Sequence, residues 1–101
     1  MRAIVFFDLP TFTSADRKEY RRFRKFLIKS GFLMEQESVY SKLLVNGAAV
    51  DALANVVRSN APHRGVVQFM RVTEKQYAKM EYIVGMRKND VLDSDERLII
   101  L

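Results

Sequence analysis

The run Ala3-Ile4-Val5-Phe6-Phe7, closed at once by Asp8, Leu9 and Pro10, constrains this chain more than any other stretch. Five successive apolar residues rich in branched and aromatic side chains are too few for a stable helix and predict a strand buried on both faces. Asp8 falls at the carboxyl end of that strand, a frequent place for chemistry in α/β sheets. Asp before Leu-Pro is also ordinary turn punctuation, so a structural and a chemical role both stay open here.

Downstream, Thr13 or Ser14 can cap a helix that runs to about Ser30, with Gly31 as its stop. At 100° per residue, Tyr20, Phe23 and Leu27 share one face of it, and Lys18, Arg22, Lys25 and Lys29 share the opposite one. Residues 32–37 and 38–45 read as two strands separated by a bulge or a very tight turn. Asn46-Gly47 opens a second helix, in which Val50, Leu53, Ala54 and Val57 form a core-facing stripe before Pro62 ends it. His63-Arg64-Gly65 leads into a fourth strand over Val66–Val72, and Thr73 caps a short helical stretch through Met80. Tyr82, Ile83 and Val84 are expected to form a further brief strand.

The order strand, helix, strand, strand, helix, strand predicts an α+β, ferredoxin-like βαββαβ sandwich, an antiparallel sheet with two helices on one face. One domain of residues 1–101 is expected, with a core over 1–85, a linker over 86–96 and an added C-terminal strand over 97–101. Leu98, Ile99, Ile100 and Leu101 would leave an apolar edge open on a monomer, which favours exchange of this strand in a homodimer.

Composition narrows function. With 49% hydrophobic and 29% charged residues the chain is globular in type, and it has no cysteine for a disulfide, a thiolate zinc site or a Cys nucleophile. No apolar run reaches the roughly eighteen residues of a membrane span, and a cytoplasmic location without membrane contact is expected. The net charge of +5 is concentrated: residues 1–31 hold eight basic side chains against three acidic ones, and the remaining seventy hold nine of each. Such a one-sided distribution suits a polyanion, nucleic acid first, and disfavours a small-molecule-sensing regulatory domain. His63 and Arg64 are further candidates for phosphate contact.

Walker, dinucleotide-binding, HExxH and GxSxG motifs are all missing. The stretch Arg64-Gly65-Val66-Val67-Gln68-Phe69 has valines where an RNA-recognition module needs its first stacking ring, so backbone contact is the better expectation. One catalytic option remains, a divalent metal such as Mg2+ at Asp8. A single strand-end carboxylate is thin for magnesium, and two copies of Asp8 facing across a two-fold axis would make a fuller site.

Five stretches occur in register: Phe6-Phe7-Asp8-Leu9-Pro10, the basic helix from Tyr20 to Leu27, Glu37 to Leu44, Val72-Thr73-Glu74-Lys75-Gln76, and Ser94-Asp95-Glu96-Arg97-Leu98. Together they resemble the smaller of the two universal CRISPR adaptation proteins, the CRISPR-associated protein two family, in its type II form. The resemblance implies a homodimer whose C-terminal strand packs on the sister subunit, and assembly with the larger adaptation protein, the integrase. In that complex the dimer is the central platform for a double-stranded DNA fragment inserted as a new spacer. It further implies, for some members, metal-dependent endonuclease activity on single-stranded RNA or double-stranded DNA, with Asp8 as catalytic residue and magnesium ligand. A stand-alone, toxin-like magnesium-dependent endoribonuclease is the competing expectation.

Overall fold

The structure, a computed structural model, describes residues 1–86. The expected linker beyond residue 86 and the interface residues Leu98, Ile99, Ile100 and Leu101 lie outside the described residues. The elements are β1 (Arg2–Asp8), α1 (Ser14–Lys29), β2 (Leu33–Gln36), β3 (Val39–Leu43), α2 (Gly47–Asn60), β4 (Val66–Val72) and α3 (Glu74–Ala78). The four strands form an antiparallel sheet in the order β2-β3-β1-β4, the ferredoxin-like arrangement.

Local chemistry sets the boundaries. Thr13 caps α1 through a reciprocal box with Asp16: the Asp16 amide donates to Thr13 Oγ1 at 3.0 Å and the Thr13 amide to Asp16 Oδ2 at 3.2 Å. Gly31, at φ +92°, stops that helix, and Lys42 Nζ donates to the Ser30 carbonyl at 2.6 Å. Asn46 caps α2, and Thr73 forms a second capping box with Gln76 at α3. Between β2 and β3, where the sequence leaves a bulge or a tight turn as alternatives, the structure has a bulge between Met34 and Gln36 and then a turn at Glu37 and Ser38.

One face of the sheet carries the core. Ala3, Val5 and Phe7 alternate toward α1 and α2, where they meet Phe23, Leu27, Leu53 and Val57. Phe7 is the hub, edge-on to Phe23 at 5.4 Å and stacked on Tyr40 at 5.7 Å. Burying each such ring stabilises the fold by about 1.5–3 kcal/mol. On β3 it is Tyr40 that enters the core, so the side carrying valine and leucine, Val39 and Leu43, faces away from it.

The opposite face holds Arg2, Ile4, Phe6 and Asp8 of β1, and α3 covers only its Arg2 end. There the Arg2 guanidinium lies 4.0 Å from the centre of the Tyr77 ring and pairs with Glu74, while Glu35 accepts from Ser41 Oγ and from the Tyr77 hydroxyl. Burial of β1 on both faces therefore holds for Ile4 and fades along the strand, with Phe6 half-buried and Asp8 exposed. Tyr82, Ile83 and Val84 do not form the expected strand. Ile83 and Val84 are almost fully exposed, and no described strand lies alongside to supply a ladder.

Candidate nucleic-acid interface and acidic strand end

Two features of the fold carry chemistry, the outer face of α1 and the carboxyl end of β1. Because Phe23 and Leu27 are fully buried, the remaining arc of α1 is turned outward, and Lys18, Arg21, Lys25 and Lys29 are exposed along it. Among the described residues none of these four forms an ion pair. Arg21, Arg24, Lys25 and Lys29, with Ile28, line a shallow groove of about 450 Å³. Arg24 is held in place by donating from Nε to the Tyr40 hydroxyl at 2.9 Å, so a buried core residue orients a surface cation.

The other cations expected to meet nucleic acid are placed differently. Arg22 makes a forked ion pair with Glu19 at 2.9 Å and donates to the last carbonyl of α2, Asn60, at 3.0 Å. That guanidinium, with a smaller contribution from His63, holds the Glu19 carboxyl below the usual carboxylate range. Arg64 pairs at 2.8 Å with Asp16, which is buried, and His63 lies beside it on a cavity of about 270 Å³ lined also by Leu9, Pro10 and Glu19. Arg22 and Arg64 thus pin α1 to the end of α2 and to the α2–β4 link. Lys25 and Lys29 share the groove, while Arg21 and Arg24 were not singled out from sequence. The signal for Arg21 is present in the spacing, since it lies four residues before Lys25 and within about 40° of it around the helix.

Asp8 is exposed and ends β1 opposite Val66. Its position depends on Gly65, whose φ is +89° and which approaches so closely that a Cβ there would lie 2.6 Å from the Asp8 carbonyl oxygen. By strand alternation Asp8 shares the open face with Ile4 and Phe6. Among the described residues no three His, Cys, Asp or Glu side chains gather as a metal site. One exposed carboxylate fits magnesium only as part of a site, the remainder coming from water, substrate phosphates or a second carboxylate. No helix among the described residues is long and apolar enough to cross a membrane.

Residues 1–80 match the family described as CRISPR associated protein Cas2. The chain belongs to the Cas2 family. It is 54% identical over its full length to all of the CRISPR-associated endoribonuclease Cas2 of Treponema denticola, and 48% identical over its full length to 93% of the protein of that name from Streptococcus mutans. In fold it is similar to the crystal structure of Streptococcus pyogenes Cas2 at pH 6.5, with a TM-score of 0.62 at 21% identity over 84% of this chain and 100% of that one. Within this Cas2-type domain, the basic groove lies on the helical layer and Asp8 on the opposite, open side of the sheet, so the two features occupy different surfaces.

Proposed function

We propose that the protein acts in CRISPR adaptation as a homodimeric, DNA-binding platform of the spacer-integrating complex. The observation that carries this reading is the run Arg21, Arg24, Lys25 and Lys29 along one groove of α1, in which Arg21, Lys25 and Lys29 form no ion pair among the described residues. Such a row binds phosphates without reading bases, as a subunit that measures or holds a duplex needs. Family membership supports the role in adaptation. The integrase partner carries the strand-transfer chemistry, and nothing catalytic is required of this chain.

Dimerisation uses the open sheet face. Ile4, Phe6, Val39 and Met70, with Met80 and Tyr82 beside them, line an apolar hollow of about 200 Å³ there. A second copy seated on it buries this surface and brings two Asp8 carboxylates toward one axis. This arrangement supports a second reading, magnesium-dependent cleavage of RNA or DNA, in keeping with the endoribonuclease name of the relatives. The Asp8 carboxylates would hold magnesium, which when bound would supply Lewis-acid polarisation of a phosphodiester and activation of water. Asp8 would hold the ion, and the apolar face around Phe6 would limit water at its base.

The test is duplex binding and nuclease activity measured side by side for wild type and Asp8→Ala, each with magnesium or EDTA. Binding that survives Asp8→Ala and EDTA, without metal-dependent cleavage by either protein, is the result expected of a platform. Cleavage lost in both Asp8→Ala and EDTA transfers the assignment to the nuclease. The logarithm of the binding constant should fall linearly with log salt, and Lys25→Glu with Lys29→Glu should reduce the steepness of that slope by about 2, equally for unrelated duplex sequences.

A further inference from the structure

Ile4 lies on the face of the sheet turned away from α1 and α2, yet it is only 5% exposed. Its cover comes from α3 and the residues that leave it, since Met80 and Tyr82 line the hollow on that face with Ile4, Phe6 and Met70. Met70, Met80 and Tyr82 themselves stay exposed, so this apolar rim is left incomplete by the described chain.

The five residues of α3, Glu74–Ala78, are too few to hold a helix in place by its own hydrogen bonds. Two side-chain contacts fix it to the sheet. Glu74 accepts a forked pair from Arg2 at 2.7 and 3.1 Å, and the Tyr77 hydroxyl donates to Glu35 on β2. Arg2 Nη1 donates to Ser41 Oγ at 3.1 Å and Ser41 Oγ to Glu35 Oε1 at 2.8 Å, which joins both contacts in one network across β1, β2 and β3. The chain then continues without slack from Tyr77 to the hollow. The Lys79 amide donates to the Gln76 carbonyl and the Met80 amide to that of Tyr77, each at 3.1 Å. The position of Tyr77 therefore sets that of Met80.

We infer that the Tyr77–Glu35 contact is an assembly latch: docked, it holds Met80 and Tyr82 as one wall of the surface on which a second copy sits, and undocked, it removes that wall. This inference rests on the open-face dimer proposed above, with which the hollow is continuous. A second copy suits it better than a polyanion, because Glu35 is the one acidic or basic side chain lining the hollow among the described residues, and it is engaged in the network. When the latch loosens, only the docked fraction of each copy can pair. A homodimer needs two docked copies, so a threefold fall in that fraction weakens it about tenfold.

The experiment uses the full chain, with sedimentation equilibrium for the dimer and hydrogen exchange at the Lys79 and Met80 amides, measured at dilution, for docking. Tyr77→Phe keeps the ring beside Arg2 and loses only the hydroxyl, so it should speed that exchange and weaken the dimer about tenfold. Met80→Ala should weaken the dimer with exchange at Lys79 unchanged. The double variant should fall short of the sum of the two losses, since an undocked Met80 has little contact left to lose. Asp16→Asn, at the α1 cap on the helical layer, controls for general loss of stability and should leave the dimer within about twofold. A dimer unmoved by Tyr77→Phe, full additivity in the double variant, or equal weakening by Asp16→Asn overturns the latch while the dimer reading stands. Wild type that stays monomeric at every concentration overturns the dimer reading and the latch with it.

Discussion

Gly65→Ala should damage the acidic strand end more than any other glycine replacement in the described fold. Two costs add. An alanine at φ +89° sits in the left-handed region, which costs about 1–2 kcal/mol. The new Cβ would also lie 2.6 Å from the Asp8 carbonyl oxygen and 3.1 Å from Leu9 Cα, where ordinary contacts begin at 3.4 Å, and both atoms are backbone. Relief requires the ends of β1 and β4 to part, with loss of about one ladder hydrogen bond at roughly 1 kcal/mol. The sum is about 2–3 kcal/mol. Gly31→Ala separates the terms, because its φ is +92° but its Cβ would meet only the flexible end of Lys42 at 3.2 Å, so the conformational cost alone, about 1–2 kcal/mol, is expected. Gly47→Ala meets nothing within 4 Å and should be neutral or slightly stabilising. Urea unfolding of the three variants gives the ranking. Gly65→Ala no less stable than Gly31→Ala would refute the close-approach reasoning.

Asp16→Ala removes a buried carboxylate that serves both the α1 cap and Arg64, and should cost about 1–3 kcal/mol in denaturant unfolding, with Asp16→Asn intermediate because it keeps an acceptor. Tyr40→Phe removes the acceptor of Arg24 and should lower stability by about 0.5–1.5 kcal/mol, while heteronuclear spectra report greater mobility of the Arg24 side chain. The Arg2 guanidinium lowers the Glu74 pKa through a forked hydrogen bond, so this contribution to stability is present above the carboxylate's unfolded value of about 4.3 and is lost as pH falls through its folded value. Glu74→Gln should therefore flatten the acid limb of the stability profile in that window, and an unchanged limb counts against the pair.

The fold was legible because its signals are local. Thr13, Gly31, Asn46 and Thr73 mark helix ends through hydrogen bonds within a few residues, and Ala3, Val5 and Phe7 announce the central strand by composition. What was not legible depends on distant partners. Arg22 and Arg64 look like Lys25 in sequence, yet one reaches the end of α2 and the other a buried Asp16 forty-eight residues away. The brief strand expected at Tyr82 to Val84 has the right residues but no described neighbour to pair with. Gly65 reads as a link residue, and only the approach of Asp8 reveals its constraint.

These ion pairs, local and long-range, change the meaning of the net charge. Glu19, Asp16, Asp51 and Glu74 neutralise Arg22, Arg64, Arg71 and Arg2 at distances of 2.7–2.9 Å, so these cations are spent on the fold before any polyanion arrives. The groove residues Arg21, Lys25 and Lys29 have no such partner among the described residues and stand exposed to solvent ions. A phosphate row bound there, as proposed, would displace those ions and gain the entropy of their release, so the association would be salt-sensitive and indifferent to base sequence. Reversing a paired cation would instead act first through stability, since it strands a partner carboxylate. Arg22→Glu and Lys25→Glu are therefore not equivalent: the former should lower the unfolding midpoint as well as affinity, and the latter affinity alone.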